Sequence, residues 1–181
     1  MPRLFIAIEL SDEIKDHIGE VQMGIREANW TKRSQLHLTL KFIGEVDPRQ
    51  AAAIQAALGK VTGEPFTLRL NALGQFPPKG KARILMAAVE ENAALEALHG
   101  RVEDALAEVG VEREGRRFVP HITVARFKAP PTFNLLGRYF DTNKTFVTKP
   151  SPVNEIVLYS SKLTPGGPIH TREQVYPLKQ G

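Results

Sequence analysis

The sequence contains no cysteine among its 181 residues, and this absence excludes several kinds of chemistry. Disulfide bonds, thiol nucleophiles and cysteine-ligated metals each need a sulfur that the chain does not have. A chain without disulfides is also typical of a reducing compartment. We therefore expect a cytoplasmic protein.

Long apolar runs and several common ligand-binding motifs are also missing. The apolar run in MPRLFIAIEL is interrupted by Glu9 and is shorter than a signal-peptide core or a membrane span. The sequence has no His-Glu-x-x-His or His-x-His zinc spacing, no Walker-type phosphate loop and no Gly-x-Ser-x-Gly elbow. We expect a protein with no membrane segment, no metal and no bound cofactor.

What the sequence does contain is an ordinary globular composition with an excess of positive charge. Apolar residues make up 42% and charged residues 24%, and the formal net charge is +4. A mildly basic surface suits anionic ligands such as phosphates or RNA, although charge alone is a weak indicator.

The pattern of apolar residues predicts a mixed α/β or α+β fold. Helices are predicted after the caps Ser11 and Asp47, over ENAALEALHGRVEDALAEVG, and over a short segment from Phe133 to Phe140. Strands are predicted at RLFIAIEL, LHLTLKFIG, FTLRLNAL, RILMAAV, FVPHITVARF, KTFVT, EIVLYSS and EQVYPL, and TPGGPIHT is predicted to be a loop. No linker divides the chain, so we expect one domain over residues 1–181, built as two lobes.

Two segments in opposite halves of the chain share one pattern. HLTLKF contains His37 and Thr39, and PHITVARF contains His121 and Thr123, each with apolar residues in between. In a strand, residues i and i+2 point to the same face, so each histidine shares a polar face with its threonine. If two related lobes bring these faces together, one cleft holds two imidazoles and two hydroxyls. Two imidazoles can act as an acid and a base, and threonine hydroxyls can bind phosphate oxygens.

Two cations near these motifs are candidates for the same cleft. Strict alternation places Lys41 on the face of His37 and Thr39. Arg126 has the opposite parity to His121, so it reaches the cleft only if the strand ends, twists or bulges there. Alternation alone therefore favours Lys41 over Arg126.

The remaining histidines are weaker candidates. His17 and His99 lie in predicted helices at the edge of apolar stripes, which favours a structural role. His170 lies in the segment predicted to be a Gly- and Pro-rich loop, where it could touch a ligand.

The paired motifs and their flanking segments resemble a known family. RLFIAIELSDEIK, HLTLKFIGEV, LGQFPPKGKARILMAAV, RRFVPHITVARF and VNEIVLYSSKL are similar to the two-histidine (2H) phosphoesterases, specifically the RNA 2′,3′-cyclic phosphodiesterases, also called 2′-5′ RNA ligases. The resemblance implies a bilobal α/β fold with a pseudo-two-fold, antiparallel-rich sheets, helices on the outside and the site in the central groove. It implies metal-independent hydrolysis of RNA or nucleotide 2′,3′-cyclic phosphate ends to 2′-phosphomonoesters by a protein that we expect to be a monomer.

The resemblance also implies roles for individual residues. His37 corresponds to the family's proton donor and His121 to its proton acceptor. Thr39 and Thr123 would bind phosphate oxygens, and Arg126 would bind substrate despite its parity. The reverse reaction, which joins a cyclic phosphate to a 5′-hydroxyl, uses the same groups.

The chain departs from the family where a base would stack. The aromatic residues that the family often has near Met86 and near His170 are absent, which leaves Phe76 and Tyr159 as candidates. Two other readings stay open at this point: a nucleotide- or RNA-binding module without turnover, and a metal-dependent hydrolase.

Overall fold

Residues 3–180 are described in a computed structural model of the protein, which contains ten strands, four α-helices and one short 3-10 helix over that range. The strands are β1 Arg3–Glu9, β2 Ala28–Trp30, β3 His37–Glu45, β4 Phe66–Leu68, β5 Leu70–Phe76, β6 Ile84–Val89, β7 His121–Phe127, β8 Ser151–Val153, β9 Glu155–Thr164 and β10 Gly167–Pro177. The helices are α1 Asp12–Val21, α2 Pro48–Leu58, α3 Ala93–Ala107 and α4 Phe133–Thr142, and the 3-10 turn is Arg33–Gln35.

The strands form two antiparallel four-stranded sheets and one small two-stranded sheet. The first sheet has the order β10-β9-β1-β3, so it joins the two ends of the described chain. The second has the order β2-β7-β6-β5, and the pair β4-β8 is separate. The first sheet therefore carries the first His-x-Thr strand, β3, and the second sheet carries the other, β7. These two strands contact each other. The mixed α/β class with antiparallel sheets is confirmed.

The helices begin where the sequence predicts, because their caps are made by the predicted side chains. Ser11 accepts a hydrogen bond from the amide of Ile14 at the start of α1. Asp47 accepts one from the amide of Gln50 at the start of α2, with Pro48 in the first turn. The short helix predicted near Phe133 is present as α4.

Apolar faces of both large sheets and of the helices form one hydrophobic core. The central strand β1 is buried from Leu4 to Ile8, as its apolar residues on both faces predict. Among residues 3–180, no helix is long and apolar enough to cross a membrane.

Three of the predicted elements differ in the structure. KTFVT is not a strand: its chain runs irregularly, and Thr148 at its end is linked to Leu70 through both backbone and side chain. FTLRLNAL is two strands rather than one, because it breaks at Arg69 and its parts pair with different partners. TPGGPIHT is predicted to be a loop, but only Pro165 and Gly166 form a turn, between β9 and β10, and His170 lies on β10.

Candidate active site

The two His-x-Thr strands line one cleft between the large sheets. It has a volume of about 670 Å³ and includes residues of β1, β3, β7 and the β9–β10 turn. His37 and Thr39 line it from the first sheet, and His121 and Thr123 line it from the second. The structure thus brings together the four side chains that the paired motifs select.

Alternation along each strand explains why these side chains face the cleft. Leu38 is fully buried in the core, whereas His37 and Thr39 on either side of it are only partly buried. Ile122 is likewise fully buried between His121 and Thr123. The apolar half of each motif packs in the core, and the polar half faces the cleft.

Both strands then carry the same β-bulge, directly after the threonine. On β3, Leu40 is the extra residue, because Ile6 of β1 pairs with Lys41 and the next residue, Ala7, pairs with Thr39. On β7, the pairing with β6 skips Val124 in the same way. In each strand the extra residue and the one after it are both buried, so the parity of the side chains that follow directly is reversed.

The bulge decides which cation reaches the cleft. The expectation that Lys41 faces the cleft is wrong: it lies in the core, 6% exposed. Its Nζ lies 3.0 Å from a carboxylate oxygen of Glu103 on α3 and donates a hydrogen bond of 2.7 Å to the carbonyl of Glu112. Arg126, two residues after the bulge of β7, is exposed and lines the cleft. From the sequence, Arg126 could reach the cleft only if the strand ended, twisted or bulged near it, and the bulge of β7 meets that condition.

The histidines of the two His-x-Thr strands are oriented by the same kind of backbone hydrogen bond. His37 Nδ1–H donates to the carbonyl of Gln35 at 2.7 Å, and His121 Nδ1–H donates to the carbonyl of Val119 at 2.8 Å. A carbonyl oxygen can only accept, so Nδ1 carries the proton in both rings. Nε2 is therefore the nitrogen that each ring keeps for proton exchange with a ligand.

The environment of His37 disfavours its charged form. Its ring lies 5.1 Å from that of Phe5 and 5.5 Å from that of His170, measured between centroids. Burial, opposed by the hydrogen bond to Gln35 and assisted by the positive groups His170, Arg126 and His121, lowers the pKa of His37 from 6.5 to about 4. The fold therefore keeps the imidazole of His37 neutral at pH 7.

His170 is the third histidine of the cleft, and sequence reasoning assigned it little weight. It lies on β10 opposite Ser161, and its Nδ1 is buried without a hydrogen-bond partner among the described residues. The start of β10 is tied to the 3-10 turn before β3 by the side chain of Gln35, which donates to the carbonyl of Pro168 at 2.5 Å. The Gly-Gly turn signal in TPGGPIHT could have identified this hairpin.

The aromatic residues at the cleft differ from those considered from the sequence. Neither Phe76 nor Tyr159 lines the cleft: Phe76 packs edge-on against the ring of His121, and Tyr159 stacks on Phe5. Phe42 and Trp30 line it instead, and Phe42 is 72% exposed. Phe42 follows the bulge of β3 as Arg126 follows that of β7, so the two occupy matching positions.

The other two histidines lie outside the cleft, as predicted. His17 is on α1 beside Glu20, at 3.8 Å. His99 is on α3, where its ring stacks on Phe118 with centroids 3.9 Å apart. Both are held by neighbours in their own part of the fold, which agrees with a structural role.

Positive and neutral groups make up the polar lining of the cleft. Arg3, Lys32 and Arg126 line it together with the three histidines, and no described residue of the lining is Asp or Glu. Among residues 3–180, no group of three or more His, Asp or Glu side chains is arranged to hold a metal ion. A cleft of this charge is suited to an anionic ligand.

Comparison with known proteins gives matches over nearly the whole chain. Residues 10–164 match the family model described as the 2′-5′ RNA ligase superfamily. The chain is 34% identical to the RNA 2′,3′-cyclic phosphodiesterase of Thermus thermophilus, over 98% of this chain and 90% of that one. The fold matches a crystal structure of a Thermus thermophilus protein with a TM-score of 0.84, at 28% identity and 98% coverage of each chain. It also matches E. coli LigT complexed with 3′-AMP, with a TM-score of 0.78 at 27% identity, over 99% of this chain and 100% of that one.

Proposed function

Because the chain belongs to the 2′-5′ RNA ligase superfamily, we propose that it is an RNA 2′,3′-cyclic phosphodiesterase that leaves a 2′-phosphomonoester. It is a hydrolase of phosphoric diester bonds, like the relatives that it matches over most of its length. Its substrate is an RNA or nucleotide with a 2′,3′-cyclic phosphate end. One observation carries the proposal: two histidines with the same Nδ1 anchoring line one cleft in which no described residue is acidic.

The proposed reaction is an in-line displacement at phosphorus. Neutral His121 takes a proton from water through Nε2, and the oxygen of that water forms a bond to phosphorus. The bond between phosphorus and the 3′-oxygen breaks, and protonated His37 gives its Nε2 proton to that oxygen. The products are a 2′-phosphate and a 3′-hydroxyl. Acid and base assistance of this kind each contributes about 10²- to 10⁴-fold in rate.

Three further side chains stabilise the charge on the non-bridging oxygens. The hydroxyls of Thr39 and Thr123 donate hydrogen bonds from the two sides of the cleft, and Arg126 supplies a guanidinium. These groups are held on strands rather than on loops, so little reorganisation is needed when charge develops. The bulge of β7 turns Arg126 towards the face that carries His121 and Thr123.

The same groups can run the reaction in reverse. A 5′-hydroxyl then replaces water, His121 and His37 exchange the same protons, and a 2′-5′ linkage forms without ATP. We propose this ligation as a secondary activity of the same cleft.

One chain supplies both His-x-Thr strands, so we propose that the enzyme acts as a monomer. We also place it in the cytoplasm, in line with the absence of cysteine. Light scattering after size exclusion should give a mass near 20.1 kDa.

The proposal is tested with an oligoribonucleotide that ends in a 2′,3′-cyclic phosphate, incubated in EDTA with wild type, His37→Ala and His121→Ala. We expect a 2′-phosphate product from the wild type and a loss of at least about 10²-fold in each variant. The matched control is His17→Ala, which removes a histidine on α1 outside the cleft and should leave the rate unchanged.

Other outcomes would favour the rival functions. Binding of the RNA without turnover by the wild type would make the protein a nucleotide- or RNA-binding module. Turnover that EDTA abolishes and a divalent cation restores would make it a metal-dependent hydrolase. A 3′-phosphate product would refute the assignment of the leaving oxygen.

A further inference from the structure

A second hollow adjoins the cleft on the side of the second sheet. It has a volume of about 560 Å³ and is shaped by the start of β6, the end of β7 and the residues that follow β7. Ile84 and Arg126 line both this hollow and the cleft, so the two are direct neighbours. We call it the side hollow.

The side hollow is lined by positive charge. Lys81, Arg83, Arg126 and Lys128 are all exposed and line it, and no described residue of its lining is acidic. Within residues 3–180, none of these four side chains forms an ion pair with a carboxylate or a hydrogen bond within the protein. Arg33, by contrast, is an exposed arginine that is paired with two carboxylates on α1. Like charges held together without a counter-charge repel each other, so this arrangement favours an anionic ligand.

The backbone beneath these cations is tied down on both sides. The amide of Arg83 donates to the carbonyl of Phe76 at 2.8 Å, and its carbonyl accepts from the amide of Phe127 at 2.9 Å. The side chain of Gln75 closes the preceding turn through the carbonyls of Pro77 and Gly80, at 3.0 and 3.2 Å. These bonds hold the backbone of Arg83 and of the turn before it in place, which lowers the cost of ordering this segment on a ligand.

We propose that the side hollow binds backbone phosphates of the RNA on the 5′ side of its cyclic end. The inference rests on the proposed function, because the cyclic phosphate is placed in the cleft. Such a phosphate is at the 3′ end of its strand, so every other phosphate of the RNA lies 5′ to it. A strand that leaves the cleft past Arg126 enters the side hollow, where Lys81, Arg83 and Lys128 are placed to meet its next phosphates.

The test compares a short substrate with a long one. A nucleoside 2′,3′-cyclic phosphate has no further phosphate, whereas an eight-nucleotide RNA with the same end has several. The variant is Lys81→Gln/Lys128→Gln, and the control is Lys60→Gln/Lys149→Gln, which removes two exposed lysines that line neither the cleft nor the side hollow. Both double variants lower the net charge by two, so a general charge effect is the same in each.

We expect the variant to keep the wild-type kcat/KM on the nucleoside substrate and to bind the eight-nucleotide RNA about tenfold more weakly at low salt. The slope of log affinity against log salt concentration should fall by about 1.4 for two lost phosphate contacts on a single strand. The control should behave as the wild type on both substrates. Equal affinities for the RNA in variant, control and wild type, or an equal loss in both double variants, would overturn the inference.

Binding of the eight-nucleotide RNA is also measured by fluorescence anisotropy, so that the inference and the proposed function can fail separately. If the wild type turns over neither substrate but RNA binding still depends on Lys81 and Lys128, the proposed function is refuted and the side hollow stands. If the wild type turns over both substrates and RNA binding does not depend on these lysines, the side hollow is refuted and the proposed function stands.

Discussion

The protonation state of His37 leads to the most demanding prediction. A proton donor must be protonated before it reacts, yet the fold lowers the pKa of His37 to about 4. At pH 7 that pKa leaves only about one imidazole in a thousand protonated. A bound cyclic phosphate brings a negative charge next to the ring, and an opposite charge at that range shifts a pKa by about 1 to 3 units. We therefore expect substrate binding to raise the pKa of His37 to between about 5 and 7.

The assay is an NMR titration of the His37 ring, assigned with His37→Gln. The sample is the His121→Ala variant, which we expect to be inactive and which can therefore be studied with the cyclic phosphate itself bound. A cyclic diester keeps one negative charge across the titration, so only the protein changes protonation. The pKa is read without ligand and with saturating ligand. By linkage, the ligand must bind the protein with protonated His37 more tightly than the protein with neutral His37. The ratio of the two affinities is tenfold for each unit by which the ligand raises the pKa of His37.

Two results would contradict this reasoning. If the pKa of His37 changes by less than about one unit on binding, a bound phosphate does not restore its proton, and His37 fits the role of base rather than acid. If ligand affinity does not increase as the pH falls from 7 towards 5, the linkage that the mechanism requires is missing. As a control, Arg126→Gln removes one of the positive groups that lower this pKa, so in the free protein the pKa should be higher than in the wild type.

Three further predictions concern stability and binding. The pKa of His37 is lower in the folded protein than in the unfolded chain, so the free energy of unfolding should decrease as the pH falls from about 6.5 to 4, by up to roughly 3 kcal/mol. Urea titrations of His37→Gln should not show that decrease. Lys41→Met should cost about 3 to 5 kcal/mol by leaving Glu103 buried and unpaired, whereas Lys41→Met/Glu103→Leu should cost clearly less; equal costs would refute the pairing. Thr39→Val and Thr123→Val should each lower kcat/KM about 10- to 100-fold with little change in Tm, and unchanged kcat/KM would remove that threonine from phosphate binding.

Much of this protein can be derived from local patterns in the sequence. Period-two alternation predicts that His37 and Thr39 share one face of a strand, and it holds because a single strand dictates the direction of its own neighbouring side chains. The caps Ser11 and Asp47 predict where two helices begin, because each bonds an amide only three residues away. The family predicted from the paired motifs is confirmed by the match over residues 10–164.

Features that depend on a partner strand could not be read in this way. KTFVT has β-forming residues, but among the described residues no strand pairs with it, so its backbone is irregular. FTLRLNAL divides at Arg69 because its two halves pair with different strands, β8 and β6. Phe42 and Trp30, two of the aromatic residues that line the cleft, were missed because their position there depends on how two sheets meet.

The bulges show most clearly which features the sequence determines and which depend on the tertiary structure. The sequence by itself determined that each histidine and its threonine share a face, since no partner is needed for alternation over three residues. Only the tertiary structure decided the direction of the side chains after each threonine, because a bulge exists only relative to the strand alongside. One extra residue, Leu40 or Val124, reverses the parity beyond it. That reversal buries Lys41 against Glu103 and brings Arg126 into the cleft.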